Sequence, residues 1–148
     1  MKPLPQGGGF GFQYHLCHMQ RNTLALAAIV MLTAVVLGAF GAHGLKPRIS
    51  PDALANWHTG VHYQMVHGLA LLFMALAGEQ LAQRYLSFAR LLFLGGVLCF
   101  SGSLYLLSTR EVLGTQGLTR MLGPITPLGG LLYMGGWIVL LVSALRRS

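Results

Sequence analysis

Four long apolar stretches, separated by short polar segments, dominate the pattern of the chain. No Asp, Glu, Lys or Arg occurs within residues 22–45, 53–78, 91–109 or 121–145. A helix needs about 20 mainly apolar residues to cross a bilayer core, and each stretch is long enough. A small soluble domain cannot bury four helices of that kind. The pattern therefore predicts an all-α integral membrane protein with four transmembrane helices in an antiparallel bundle.

The polar breaks between the stretches set the expected helix bounds. We expect helices at about residues 23–41, 51–83, 87–108 and 127–145. Ser50 followed by Pro51 is typical of a helix start, and Pro127 is placed in the same way at the start of the last helix. These helices form one domain over residues 21–148.

The first 20 residues stand outside this pattern. Two prolines and three consecutive glycines prevent a regular helix at the start, so residues 1–20 are predicted to be a flexible or surface-lying tail. Met19 offers an alternative start of translation. The first apolar stretch also resembles a signal peptide, with Arg21 before it and small residues at its end. It is longer than a usual signal core and three more spans follow, which favours a retained helix.

Composition and charge support a lipid environment. Charged residues make up 9% of the chain and hydrophobic residues 54%, and the net charge is +7. The basic residues lie singly or in pairs at the ends of the apolar stretches, which is typical of headgroup anchoring and excludes a nucleic-acid surface. With four spans, six of the ten Lys and Arg residues fall on the side of the termini. The positive-inside rule then places both termini in the cytoplasm.

Three histidines near the start of the second apolar stretch are the first candidates for chemistry. At 100° per residue, one helical face carries Trp57, Gly60, Gln64 and His67. His58 and His62 point elsewhere, and no Asp, Glu or Cys nearby completes a metal site with them. His67 lies about 15 Å deeper than His58 along the helix axis. It is therefore either a functional residue or a neutral imidazole hydrogen-bonded across helices.

A four-span bundle brings the polar residues of all helices into one half of the membrane. The opposite half is plain aliphatic. The predicted polar cluster consists of His43, Trp57, Thr59, Gly60, Tyr63, Gln64, His67, Ser101, Ser103, Tyr105 and Thr126. It contains no catalytic triad, phosphate loop or pair of carboxylates, so we expect no enzymatic activity.

Small residues indicate where helices approach closely. In the first helix a small residue recurs every fourth position from Ala34, a spacing that permits tight contact between membrane helices. The residues expected at such contacts are Ala34, Gly38, Gly41, Ala42, Gly129, Gly130 and Gly136.

Four segments together resemble a known family. They are "LGAFGAHGL" (Leu37–Leu45), the pattern W-x-T-G-x-x-Y-Q-x-x-H from Trp57 to His67, "SGSLY" (Ser101–Tyr105) and "ITPLGGL" followed by "GW". In this order they resemble the YgdD-like family of small bacterial inner-membrane proteins, a family catalogued as a domain of unknown function. The resemblance covers roughly residues 22–146. It implies four transmembrane helices and a location in the bacterial cytoplasmic (inner) membrane, and it implies no activity.

Three hypotheses of function follow. The leading one is a non-enzymatic accessory, assembly or interaction component of a larger membrane complex or homo-oligomer, with no cofactor. The second is a bundle that binds haem or a metal through His43 and His67. The third is a small transporter or channel formed by an oligomer.

Overall fold

The computed structural model describes residues 9–76 and 82–146, with side chains from residue 21 onward except that of Leu118. Every regular element within these residues is helical. The α-helices are α1 (Gly9–Phe40), α2 (Pro51–Leu76), α3 (Gln83–Gly96), α4 (Gly102–Leu113) and α5 (Thr119–Leu145). A short 3₁₀ turn, Gln116–Leu118, precedes α5.

Two wide π-turns are built into this framework. Gly41–Leu45 prolongs α1 by one turn, and Lys46 N–H closes it by donating to Gly41 O (3.1 Å). Val97–Ser101 joins α3 to α4, so residues 83–113 form one long helix with a widened turn at its middle. Such turns insert one extra residue, which shifts the side chains that follow relative to a regular α-helix.

The first two helices differ from their predicted bounds. Residues 9–20, expected to be a tail, continue α1, while residues 1–8 lie outside the described residues. The second helix was predicted to reach residue 83, but Ala82 is extended and Gln83 begins α3. Gly78 is the one residue over 77–83 that disfavours a helix, and the sequence interpretation did not take it as a break. The third helix is also longer than the predicted 87–108.

The start of the last helix was predicted wrongly. α5 begins at Thr119 and contains both Pro124 and Pro127, so Pro127 is an interior residue. A proline removes the hydrogen bond to the carbonyl four residues earlier, here that of Arg120 or Gly123. Both of these residues are exposed at the beginning of the helix. The lost bonds therefore fall where other donors can replace them.

The helices pack as two pairs that meet along α2. α1 lies mainly against α2, and α3 lies mainly against α5. The larger apolar cluster lies between the pairs and includes Ala27, Leu71, Ala89 and Phe93, each at most 1% exposed. A smaller cluster of Leu45, Trp57 and Val61 covers the other end of the α1–α2 pair. Arg90 in the middle of α3 donates a hydrogen bond to Thr23 Oγ1 on α1 (3.0 Å).

Three helical segments in the described part of the chain are long and apolar enough to cross a membrane. They are Arg21–Leu45, Gln83–Leu113 and Thr119–Leu145. α2 has the required length but is not among them, because His, Gln, Trp and Asn side chains lower its mean hydropathy.

Candidate functional site

The inward face of α2 organises the polar interior of the bundle. Trp57, Gly60, Gln64 and His67 are all buried, whereas His58 and His62 are exposed. This division agrees with the helical-wheel prediction. Two of the three neighbouring histidines therefore lie outside the interior.

Gln64 connects three helices through its amide group. Its Nε2 donates to Val30 O (2.9 Å) and to Thr33 Oγ1 (2.8 Å) on α1. Its Oε1 accepts a hydrogen bond from the hydroxyl of Tyr105 on α4 (2.8 Å). Both amide protons and the carbonyl oxygen are thus engaged in a side chain that is 4% exposed. A buried amide satisfied in this way fixes the positions of the helices that supply its partners.

Trp57 closes the shallow end of this network. Its Nε1–H donates to Leu37 O on α1 (2.9 Å), and its ring lies 4.6 Å from the ring of Tyr105. Two glycines make room for these rings. A Cβ on Gly41 would lie 2.7 Å from the Trp57 ring, and a Cβ on Gly60 would lie 2.9 Å from the Tyr105 ring. The close contacts of α2 with α1 and α4 therefore require glycine at both positions.

His67 occupies a separate aromatic pocket deeper along α2. Its ring lies almost parallel to that of Tyr133 (9°), with the centroids 3.5 Å apart, and that of Phe93 is 5.3 Å away. Trp137 Nε1 lies 3.2 Å from His67 Nε2, and His67 Nδ1 lies 2.8 Å from Tyr63 O. An indole N–H can only donate, so Nε2 is the acceptor and Nδ1 carries the proton. The hydrogen bonds thus define a neutral imidazole with both nitrogens engaged.

A cleft of about 490 Å³ borders the aromatic pocket between α2 and α5. Tyr63, Phe100 and Trp137 contribute to its walls, and His62 lies at its edge. Tyr63 is 41% exposed, yet its ring lies 4.6 Å from that of Phe100. The cleft leaves one side of the His67 pocket accessible from the outer surface of the bundle.

Serine and threonine hydroxyls connect the widened turn of the long helix to α5. Ser103 Oγ lies 2.7 Å from Thr126 Oγ1, and Ser101 Oγ lies 3.3 Å from the hydroxyl of Tyr133. Ser103 also donates to Phe100 O (2.9 Å). These contacts fix α5 against the π-turn.

The structure brings most, but not all, of the predicted polar cluster together. Trp57, Gly60, Gln64 and Tyr105 form one group, His67 and Tyr63 belong to the aromatic pocket, and Ser101, Ser103 and Thr126 lie at the α5 contact. His43 and Thr59 are exposed. Thr59 donates only to Ala55 O of its own helix.

The expected pairing of His43 with His67 is not observed. His43 lies on the terminal π-turn of α1 with an exposed side chain, whereas His67 is 3% exposed and hydrogen-bonded to Tyr63 and Trp137. Among the described residues, no group of three or more His, Cys, Asp or Glu side chains is placed to hold a metal ion. The haem or metal hypothesis has no support in this geometry.

Most of the residues expected at helix contacts are placed there. Ala34, Gly41, Gly129 and Gly136 are buried, and Gly38 and Gly130 are half-buried. Ala42 is exposed, and at 100° per residue it lies about 80° around the helix from Ala34. Gly129 makes the tightest contact with backbone, since a Cβ there would lie 2.7 Å from Phe100 Cα.

Sequence reasoning missed three residues that bond to or stack on the buried side chains of α2: Thr33, Tyr133 and Trp137. Tyr133 had a usable signal, because it lies four residues after Gly129 and three before Gly136, on one helical face. Thr33 is a lone hydroxyl in an apolar helix, where it usually bonds a carbonyl of its own helix, and Trp137 is one of many large apolar side chains in the last helix. Neither pattern distinguishes those ordinary roles from a bond to α2.

The long apolar helices, joined in the interior by the hydrogen bonds of Gln64 and His67, define a helical membrane protein. The chain matches the family described as "Protein of unknown function (DUF423)" over residues 37–130. It is 42% identical over 124 residues to the UPF0382 membrane protein YwdK of Bacillus subtilis (strain 168), covering 83% of this chain and 95% of that protein. A UPF0382 membrane protein of Haemophilus influenzae is 39% identical over 133 residues, 88% of this chain and 98% of the relative.

A UPF0382 membrane protein of Staphylococcus haemolyticus is 39% identical over 123 residues, with 83% of this chain and 94% of the relative covered. No solved structure matches the chain. The chain belongs to the DUF423 family of UPF0382 membrane proteins, whose function is unknown.

Proposed function

We propose that the chain is a four-span protein of the bacterial cytoplasmic membrane that acts as a non-enzymatic accessory, assembly or interaction component. The distribution of Lys and Arg favours both termini in the cytoplasm, and the YgdD-like resemblance implies the four spans and the membrane location. The observation that carries the proposal is that the buried side chains of Gln64 and His67 have their hydrogen-bonding groups engaged within the bundle. Gln64 binds α1 and α4 through its amide group, and Trp137 on α5 donates to His67 Nε2. The other ring nitrogen, His67 Nδ1, donates to Tyr63 O of its own helix. Hydrogen bonds between helices hold a bundle together.

α2 is the fourth span despite its lower hydropathy. Its 26 residues extend about 39 Å at 1.5 Å per residue, enough to cross the hydrocarbon core of about 30 Å. The polar side chains that lower its mean hydropathy include Gln64 and His67, which are buried inside the bundle. Its deeper outer face carries Leu69, Phe73 and Leu76, all exposed and apolar. This arrangement suits a helix that contacts lipid on one side only.

An interaction component needs an outer surface that a partner helix covers. The outer face of α5 carries an exposed apolar ridge of Leu128, Leu131, Met134, Ile138 and Leu141. Half-buried Gly130 and Gly135 lie beside this ridge and add no side chains to the surface there. Small residues of this kind let membrane helices approach closely without a hydrophobic driving force. We therefore place the partner contact on α5.

Site-specific photo-crosslinking in intact membranes tests this proposal. A photoreactive residue replaces Leu131 or Ile138 on α5, and matched variants carry it at Leu32 on the exposed face of α1. We expect adducts of one defined mass from the α5 positions and lipid adducts alone from Leu32. A chain that remains an unmodified monomer at every position, and that purifies as a monomer in mild detergent, contradicts the proposal.

A further inference from the structure

A polar cavity lies at the end of the bundle where the start of α2, the end of α4 and the start of α5 meet. Its volume is about 340 Å³. The lining includes charged side chains from two of these helices, with Asp52 on α2 and Arg110 and Glu111 on α4. Asn56 and Thr119 add an amide and a hydroxyl. None of the sequence motifs described above accounts for this cavity.

The distribution of acidic residues singles the cavity out. The whole chain has three Asp and Glu residues against ten Lys and Arg, and two of the three acidic side chains line this one cavity. Arg110 lines the same space, yet within residues 9–76 and 82–146 no ion pair joins it to Asp52 or Glu111. Positively and negatively charged side chains thus line one cavity without forming an ion pair with each other. A molecule that carries both signs of charge would bridge them.

Ser108 provides a second, independent indication of a ligand. It lines the cavity, its side chain is 3% exposed, and its Oγ has no hydrogen-bond partner in the described residues. A buried hydroxyl without a partner is unfavourable, and such groups are rare in folded proteins. A hydrogen-bonding ligand in the cavity would satisfy it.

We propose that this cavity binds the phosphoethanolamine headgroup of a membrane lipid. A primary ammonium has three N–H donors, which the carboxylates of Asp52 and Glu111 accept. The phosphate lies two carbons away in this headgroup, and a guanidinium such as that of Arg110 binds phosphate oxygens through paired hydrogen bonds. The hydroxyls of Ser108 and Thr119 donate to the remaining phosphate oxygens.

The position of the cavity favours a lipid as the source of this group. The cavity lies at the ends of helices that cross the membrane, at the level of the headgroups, and apolar Leu107 and Gly123 form part of its wall. Phosphatidylcholine lacks N–H donors for the two carboxylates, and phosphatidylglycerol lacks a cation. The inference requires the membrane location of the chain but not the accessory role proposed above, since a lone monomer would bind the lipid equally well.

Lipid retention by the purified full-length chain tests the inference. The protein is delipidated, mixed with equal amounts of phosphatidylethanolamine, phosphatidylcholine and phosphatidylglycerol, and examined by native mass spectrometry. We expect one phosphatidylethanolamine retained severalfold over either competitor. Arg110→Gln and Glu111→Gln are expected to abolish that preference, whereas Arg48→Gln, an exposed arginine outside the cavity lining, leaves it unchanged.

A serine pair provides the sharper control. Ser143 is also 3% exposed with an unpartnered Oγ, but it lies near the end of α5 and outside the cavity lining. Ser108→Ala is expected to lower phosphatidylethanolamine retention, and Ser143→Ala to leave it intact. Circular dichroism confirms that each variant is folded. Equal retention of all three lipids by the unsubstituted chain, or equal effects of the two serine substitutions, overturns the proposal.

Soluble O-phosphoethanolamine separates the two sources of the headgroup. We expect it to compete with the lipid only weakly, because it lacks the acyl chains that lie beside the helices. Tight binding of the soluble compound with no preference among the lipids would show that a free zwitterion is the ligand, and would contradict the lipid assignment.

Discussion

At the scale of single residues, Gln64 has the most far-reaching role. One amide group holds the backbone of α1, the hydroxyl of Thr33 and the hydroxyl of Tyr105. Hydrogen bonds between membrane helices contribute on average only about 0.6 kcal/mol each. The larger effect arises when one partner is removed and the other stays buried without a bond, which costs about 1–3 kcal/mol.

Substitution of Gln64 tests whether leaving a buried partner without a hydrogen bond costs more than the bond itself contributes. We expect Gln64→Leu to lower the free energy of unfolding by about 1–3 kcal/mol, because it leaves the Tyr105 hydroxyl without a hydrogen-bond partner inside the bundle. The double variant Gln64→Leu/Tyr105→Phe is expected to lose less than the sum of the two single variants. Unfolding in mixed detergent micelles measures all three, with Thr59→Val as the exposed control. Strictly additive losses would show that the Gln64–Tyr105 bond contributes nothing.

The proton on His67 is a second prediction at this scale. Its partners require Nδ1–H and a bare Nε2. Nitrogen NMR of labelled protein in bilayers at neutral pH should give His67 one protonated and one unprotonated ring nitrogen, with the proton on Nδ1. Trp137→Phe is expected to remove the partner of Nε2 and shift its signal, while the exposed His58 stays unchanged. A protonated Nε2 in the unsubstituted chain would contradict the geometry.

At the scale of elements, the π-turn of residues 97–101 and the glycine opposite it act together. α5 approaches this turn so closely that Gly129 lies against the backbone of Phe100 rather than against a flexible side chain. The hydroxyl contacts Ser103–Thr126 and Ser101–Tyr133 lie on either side of this crossing. The close approach of α5 to this turn therefore requires a residue without a side chain at position 129.

Substitutions of the adjacent Gly129 and Gly130 test whether this close approach requires glycine. Gly129→Ala is expected to destabilise the bundle by about 1–3 kcal/mol, because its Cβ would lie 2.7 Å from Phe100 Cα and backbone cannot yield as a side chain does. Gly130→Ala meets only the Phe100 ring, at 3.9 Å, and should be neutral or slightly stabilising. Thermal unfolding in detergent compares the two. Equal effects would exclude a backbone contact at residue 129.

At the scale of the whole molecule, the four-span topology is open to a direct test. Single cysteines at Arg48 and at Ser148, in a chain whose native Cys17 and Cys99 are replaced, report the two sides of the membrane. We expect an impermeant maleimide to label Arg48→Cys in right-side-out vesicles and Ser148→Cys in inverted ones. Labelling of both from the same side would exclude four spans.

The sequence predicts the class of this molecule better than its details. Charge-free stretches identify transmembrane helices because lipid tolerates few charges. The helical wheel of α2 places His67 and His58 on different faces because side chains repeat every 3.6 residues along a helix. The start of α5 was missed because prolines near a helix end are compatible with either assignment. The His67–Trp137 and Gln64–Thr33 bonds join residues 70 and 31 positions apart, which spacing along a helix does not encode.

The same separation along the chain has a consequence for synthesis. Translation and insertion proceed from the N-terminus, so α1 and α2 can form their own bonds, Trp57 to Leu37 and Gln64 to Val30, while the rest is still being made. His67 then stands in the nascent pair with Nε2 unpartnered until Trp137 follows 70 residues later. A ribosome stalled before α5 would leave a polar nitrogen open on a half-built bundle. Arrival of the last helix is therefore the event that completes the interior.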